Sequence, residues 1–574
     1  MRSTEPAGRD WTHYGPAIAA GFLLAYLIVV PLALMAISSF RPGGFPLDPG
    51  WTLANYETVY GAANFPRLVR TTIVFAVGST LMALTLGIAL AWLIERTDLP
   101  LRGALRAAVI LPMATPPILL AIGWAMLLSP RTGFFNLLLR DWFGLSASPF
   151  NVFSLGGMIF VEGLALVPTT FLFLSPAFRN MDPSLEEAAA TSGAGAFTML
   201  RRVILPLLWP SILAAGIFLT IVCLVVFDIP GTLGMPARIY VLSTQIYYLA
   251  VDSPTGVPLY GQVSALAVFF LVMLALLGWA YHRLTRHAQR FRTVTGKGFR
   301  PRLLRLGRWR WVAFAGVVLY FMLAVVAPLA ILTWTSLMPY QTRVTWAAVE
   351  LITLDNHRDF FANRRVLTAT ANSLTIALVS ATAVALLSVG LAWLVARARA
   401  PGAKFLDGLA FAPMAMPGVM LGVALVYVYL TLDFGFAIYG TIWIIAIAYV
   451  THYLSFGTRL ANGVLIQLHP ELEEAGAASG ASTWRILRKI TVPLIWPAVV
   501  GIWIWVVAHA LRELSTALML QGRENVVVPT LLWDYWSGGE PNRAAAVGVW
   551  LVIALVVFLS LWQAFARGRL ERST

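Results

Sequence analysis

Apolar runs of about twenty residues recur along the whole chain, each closed by a short polar or basic stretch. A helix needs a run of that length to cross roughly 30 Å of hydrocarbon. Helices suit that setting because every backbone N–H and C=O in lipid must be paired internally. The pattern predicts twelve spans, near 15–39, 69–94, 104–128, 153–177, 207–228, 260–282, 311–337, 371–396, 405–430, 436–456, 494–516 and 543–566. Several contain Pro or Gly, which spanning helices tolerate. The first follows the polar start "MRSTEPAGRD" and ends at Phe40–Arg41 without a small-residue cleavage site, the pattern of a retained anchor.

The pattern is also written twice. "EEAAATSGAGAFTMLRRVILPLLWP" (Glu186–Pro210) and "EEAGAASGASTWRILRKITVPLIWP" (Glu473–Pro497) agree at 13 of 25 positions without a gap, 287 residues apart. "ALAWLIERTDLP" (Ala89–Pro100) parallels "GLAWLVARARAP" (Gly390–Pro401), and "LPMATP" (Leu111–Pro116) parallels "APMAMP" (Ala412–Pro417), both 301 residues apart. The first half therefore carries extra residues, and Ser129–Asn151 is the predicted insertion. Six spans per half return the chain to its starting side, so the halves run parallel. The expected division is a first six-helix unit at 1–282, a basic cytoplasmic linker at 283–310 and a second unit at 311–574. The fold class is all-α integral membrane.

Composition agrees with that reading: 59% of the 574 residues are hydrophobic and 12% are charged. The net charge of +15 is concentrated, with ten Lys and Arg and no Asp or Glu between His282 and Arg310. A positive-inside bias puts that segment and both termini in the cytoplasm and favours contact with anionic lipid headgroups. No groove-reading or base-stacking motif accompanies the charge, which argues against nucleic acid. Cys223 is the sole cysteine, so an intrachain disulfide and a cysteine-based metal site are excluded.

The duplicated stretch lies between the fourth and fifth spans of each half. After Pro183 or Pro470, an acidic run suits a helix start, where carboxylates meet the positive end of the dipole. Gly193 or Gly480 allows a cheap bend. A second short helix carries an apolar stripe, Phe197, Leu200 and Val203 in one copy and Trp484, Leu487 and Ile490 in the other, before Pro206 or Pro493. A single such stripe would pack on the protein's own spans or on headgroups. Two copies at identical spacing point to one repeated partner site, an amphipathic helix laid in a groove.

The pattern Glu-Ala-Ala, three residues, Gly, nine residues, Ile-x-Leu-Pro resembles the cytoplasmic motif of ABC importer permeases. The first copy matches at Glu187, Ala188, Ala189, Gly193, Leu205 and Pro206, with Val203 in the Ile place and Arg201 between. The second matches at Glu474, Ala475, Gly480, Ile490 and Pro493, with Arg488 between, and departs at Gly476 and Val492. Across the chain, "SPFNVFSLGGMIFVEG", "RELSTALML" and "WDYWSGGEPNRAAAVG" resemble the fused, two-unit permeases of ferric-iron importers. Thiamine, phosphonate and polyamine permeases look similar. The resemblance implies a type I importer fold in a bacterial inner membrane. It also implies two copies of a separate ABC ATPase subunit and a periplasmic or lipid-anchored binding protein. ATP is then used by those partners, with no cofactor bound here directly and no enzymatic activity in this chain. The sequence agrees, having no G-x-x-x-x-G-K-[ST] loop.

Charges inside spans tend to face cavities. Asp228 near the end of the fifth span, with Arg512 and Glu513 near the end of the eleventh, are candidates for lining or gating a pathway; interfacial solvation and a structural ion pair are the plainer readings. Glu162 reads either as a pathway acid or, more plainly, as a buried structural hydrogen-bonding group, and His452 and His509 read as satisfied core histidines. Tyr240, Tyr247, Tyr248 and Tyr260 crowd one outer loop, which an aromatic belt explains without a metal. An ion-coupled carrier would share the two parallel halves but needs midplane acids, and it leaves the duplicated motif without a role. A membrane enzyme would need a convergent catalytic cluster, and none is present.

Overall fold

The computed structural model describes residues 14–181, 189, 191–193, 195–251, 253, 256–288, 303–397, 402–432 and 437–572. Helices account for all the regular structure among them, apart from one isolated bridge between Thr97 and Leu304. Among the described residues nine helices are long and apolar enough to cross a membrane, and two bent pairs raise the number to eleven. The tenth span, expected near 436–456, is instead the helix Ile442–Leu465, which is not among those eleven and carries His452, Ser455, Thr458, Arg459 and Asn462. It starts 287 residues after Leu155–Arg179, the fourth span of the first half.

Proline sets most of the irregularities. Wide turns at Ala25–Val29, Leu200–Ile204, Pro230–Gly234, Met322–Val326 and Leu487–Thr491 each close by an i→i+5 bond, such as Val30 N–H to Ala25 O. Each is followed two residues later by proline: Pro31, Pro206, Pro236, Pro328 and Pro493. The ring lacks an N–H and collides with the carbonyl four residues earlier. Widening the preceding turn relieves that clash without ending the helix. A complete break needs more. In "LPMATPP", Thr115 is driven extended (φ −86, ψ 126) ahead of Pro116 and Pro117. The helices on either side, Arg102–Ala114 and Pro117–Leu128, meet at 96°. Met416 ahead of Pro417 repeats the break in the second half.

The chain forms two compact units, and they interleave the sequence halves. One comprises residues 1–59, 249–268 and 368–530; the other comprises 60–248, 269–367 and 531–574. In the first, the opening span Tyr14–Ser39 lies along the bent pair Ala403–Thr431. Ala17, Leu24 and Ile28 pack there with Leu391, Leu394, Leu406 and Leu454. In the other, Trp309–Ser336 lies along Arg102–Leu128 and the closing helix Pro541–Arg572. At Gly123 that crossing is so close that a methyl would sit 2.8 Å from Pro328 Cβ. Each unit thus pairs the core of one half with the first span of the other. At its centre stands a helix buried on every side, Pro117–Leu128 or Gly418–Thr431, as an all-round apolar helix requires.

The same polar lock closes both exchanged spans. Asn55 Nδ2 donates to Ser39 O and Arg41 O at 3.0 and 2.8 Å. Asn356, 301 residues on, donates to Ser336 O and Met338 O at 3.0 and 2.7 Å.

Candidate functional site

The second copy of the duplicated stretch opens with the helix Glu471–Ala478, capped by Pro470 and carrying Glu471, Glu473 and Glu474 in its first turn. It closes at Gly480, whose φ of +77 belongs to the left-handed region that favours glycine. There Ala481 N–H bonds to Gly476 O at 3.1 Å and Gly480 N–H to Ala477 O at 2.9 Å, satisfying the last carbonyls. Thr483–Ile486 and the wide turn Leu487–Thr491 then lead into the span Val492–Ala510, with Pro493 in its first turn.

Of the paired glutamates, it is Glu473 that faces inward. Thr491 Oγ1 donates to Glu473 Oε1 at 2.8 Å, and Arg397 Nε lies 3.7 Å from the same oxygen. Arg397 also donates through Nη2 to Leu465 O (2.8 Å) and Leu468 O (2.6 Å), tying the end of Arg364–Ala396 to the end of Ile442–Leu465. Glu474 and Ala475, the residues the motif names, are exposed, as are Arg488 and Gly480. The sequence reading missed this anchor. Its signal is the doubled Glu together with an Arg at 96 and at 397 in the two halves.

The predicted stripe divides. Ile490 turns inward, and a methyl added at Gly476 would meet its Cδ1 at 2.8 Å. Trp484 at the other end of the stripe is 70% exposed.

In the first copy, Glu187 and Ala188 lie outside the described residues, as does Glu186. Gly193 is left-handed, with φ +79. Ala196–Met199 and the wide turn Leu200–Ile204 lead into Leu205–Val225, with Pro206 in its first turn. Phe197, in the place of Trp484, is 72% exposed, and Arg201 is exposed. Ala189 and Val203 stand where the second copy has Gly476 and Ile490. One pair moves a methylene from the large residue to the small one, leaving the number of side-chain carbons unchanged. Arg96, 301 residues before Arg397, is fully buried. Beside it, Leu304 N–H bonds to Arg96 O (2.9 Å) and Leu306 N–H to Asp98 Oδ1 (2.8 Å), so the described end of the linker rests on this span.

A family described as "Binding-protein-dependent transport system inner membrane component" matches residues 83–290 and 388–572. The chain belongs to this family. The permease is 25% identical to the ferric transport system permease protein FbpB of Actinobacillus pleuropneumoniae, over 95% of this chain and 77% of that one. It is 27% identical to a putative ferric transport system permease protein of Haemophilus influenzae, over 72% and 63%. It is 24% identical to a probable ABC transporter permease protein, y4fN, of Sinorhizobium fredii, over 95% and 94%. It is therefore an all-helical, multi-pass inner-membrane component of an ABC transport system that carries the family's repeat twice.

The candidate pathway residues have unlike surroundings. Asp228 is buried just past the break at Val226, with Thr232 Oγ1 donating to its carbonyl at 2.7 Å. Glu513 caps the short helix Ser515–Leu520, accepting from Thr516 N–H and Oγ1 at 3.2 and 3.1 Å. Arg512 is half-buried. Asp228 falls in one compact unit, Arg512 and Glu513 in the other.

Glu162 is buried, and its Oε2 has no hydrogen-bond partner among the described residues, unlike the structural bond expected of it. His509 does read as a satisfied core residue, stacked on Trp505 at 3.8 Å with Nδ1 2.8 Å from its carbonyl. His452 Nδ1 has no hydrogen-bond partner among the described residues, so it is not the satisfied core residue expected. The four outer tyrosines divide between the units, Tyr240 pairing with Tyr248 and Tyr260 with Tyr427. Among the described residues no group of three His, Cys, Asp or Glu is placed to hold a metal.

Proposed function

We propose that the permease is the membrane-spanning subunit of an ATP-driven, binding-protein-dependent importer for ferric iron. Two copies of a separate ABC ATPase subunit each grip one duplicated helix, and the permease itself binds no ATP. The observation that carries this reading is the pair of bare aromatic side chains, Phe197 and Trp484, at one place in both copies beside a left-handed glycine. Exposed aromatics of that size are the anchors that partner pockets receive.

Glu187, Ala188, Ala189 and Gly193, with Glu474, Ala475 and Gly480, shape the docking faces. Arg201, Leu205 and Pro206, with Arg488, Ile490 and Pro493, join them to the following spans. Closure of the ATPase pair rocks the halves between two packings. A periplasmic or lipid-anchored binding protein delivers cargo on the other side, and both termini lie in the cytoplasm with the basic linker. Asp228, Arg512 and Glu513 line or gate the path. Iron as cargo rests on the names of the relatives.

The test is uptake into proteoliposomes holding the permease, its ATPase and the binding protein. ATP-dependent entry of labelled ferric iron supports the whole reading. Entry of thiamine, a phosphonate or a polyamine in place of iron would overturn the cargo alone. Uptake driven by an ion gradient without ATP would overturn the mechanism.

A further inference from the structure

The insertion Ser129–Asn151 of the first half, where the second half has a shorter connection, is a built structure. It carries the helix Phe134–Phe143, which ends at Gly144 in the left-handed region (φ +61). Fully buried Asn136 staples it. Its Nδ2 donates to Leu128 O (3.1 Å), Ser129 O (3.0 Å) and Phe150 O (2.9 Å), and its Oδ1 accepts from Phe150 N–H (3.1 Å). Both ends of the insertion are thereby fastened to one side chain.

Against this helix lies an apolar groove of about 680 Å³, walled by Trp124, Leu139, Phe150, Phe160 and Leu323. All of its lining residues belong to one compact unit. Its volume falls within the roughly 300–1,000 Å³ of ordinary ligand sites. Glycine keeps it open: a methyl added at Gly156 would find nothing nearer than Ser154 Oγ at 3.9 Å.

Two observations indicate what fills it. Leu323 lies near the middle of the span Trp309–Ser336, between the exposed residues Met322 and Val326, so the groove continues the lipid-facing surface at hydrocarbon depth. Its rim carries Trp142, 72% exposed, an amphipathic ring of the kind that settles at the headgroup level. Water gains nothing in a cavity without polar partners, whereas a hydrocarbon tail loses none.

We propose that this groove is a binding site for one acyl chain of a membrane phospholipid, held between the insertion helix and the outer end of Leu155–Arg179. The bound chain braces a part of the first half that the second half lacks.

The test is native mass spectrometry of the delipidated permease titrated with dioleoylphosphatidylglycerol. Gly156→Phe fills the groove, and Leu386→Trp, on an exposed face elsewhere, is the control. One tight adduct in wild type and control, requiring about tenfold more lipid in Gly156→Phe, is the expected result; that factor corresponds to about 1.4 kcal/mol. A second probe avoids dependence on a bulky substitution. The native Cys223 is buried, so the thiol introduced by Leu139→Cys can be followed alone, and added lipid should slow its reaction with maleimide several-fold. Equal adducts in all three proteins, or a maleimide rate indifferent to lipid, would overturn the proposal. So would a filled variant that keeps its lipid and instead loses capture by the binding protein, since the occupant would then be protein.

Discussion

The two duplicated helices share a backbone and differ in how they are packed. Gly193 and Gly480 take the same left-handed turn, at φ +79 and +77. Both copies then widen one helical turn ahead of a proline, at Pro206 and Pro493. Both leave an aromatic exposed at the same place after the turn, Phe197 and Trp484. The packed side chains change together: Ala189 with Val203, Gly476 with Ile490. Read along the motif, Gly476 is a defect. Read across the packing, it makes room for the extra methylene of Ile490. Volume is conserved in the pair, as close-packed interiors demand, while the backbone is conserved residue by residue because only Gly and Pro supply it.

The spans that bear these helices also differ. Glu95 is buried between Arg106 (2.8 Å) and Arg179 (3.3 Å), with Ser175 donating to it as well. Where the first half has Glu95 the second has Ala396, and the nearby ion pair is Arg459 with Asp407 at 3.3 Å. The spans that lead into the two duplicated helices are therefore held by different ion pairs.

Breaking the shared feature should have the largest effect. Phe197→Ala and Trp484→Ala should each weaken ATPase binding by about 2 kcal/mol, the loss typical of an aromatic hot spot, measured by titrating the ATPase onto permease in nanodiscs. Similar losses at both sites mean that the shared aromatic is the anchor. A loss at one site alone would assign the difference to the docking partner.

Next in size is Arg397→Met, which leaves Glu473 and two span-end carbonyls without their cation. We expect about 2 kcal/mol, since charge-assisted bonds contribute roughly 1.5–3 kcal/mol each but Glu473 keeps Thr491. Transport-coupled ATP hydrolysis should fall while basal hydrolysis by the isolated ATPase is unchanged, and Arg397→Lys should recover part of it.

Gly193→Leu and Gly480→Leu come third. Neither glycine has a heavy atom within 4 Å of an added Cβ, so the cost is backbone strain of about 1–2 kcal/mol. Uptake should uncouple from ATP hydrolysis with the melting temperature nearly unchanged. Normal ATP-driven uptake in both variants would contradict the role given to the turn.

The smallest effect sharpens the comparison most. Gly476→Ala alone should overpack against Ile490 and Ile490→Val alone should underpack, each by about 1 kcal/mol. The double variant, which copies the first half, should recover most of the loss in a double-mutant cycle on thermal stability. Additive losses would mean that the covariation carries no packing meaning.

Much of this was legible in the sequence, for physical reasons. Glycine at 193 and 480 and proline at 206, 417 and 493 dictate local backbone, and local backbone is written locally. Most spans also followed from apolar run length, though twelve were expected and the described residues hold nine, or eleven with the bent pairs; the break in "LPMATPP", inside what reads as one span at 104–128, was not foreseen. What the sequence pattern does not record is which helices pack together. The exchange that places Tyr14–Ser39 against Ala403–Thr431 rests on contacts hundreds of residues apart, and every span there is equally apolar. The anchor at Glu473 was hidden similarly: of two adjacent glutamates, the one facing inward is decided by where Arg397 and Thr491 arrive. The stripe misled because periodicity assigns residues to one face without saying that a four-residue helix and a wide turn divide that face.

The most direct test of the central claim is a tagged purification from native membranes, comparing wild type with the double variant Phe197→Asp, Trp484→Asp. An ABC ATPase should copurify at two copies per wild-type permease and be absent from the folded double variant. An ATPase retained by the variant, or missing from both samples, would contradict the assignment of these helices as its docking sites.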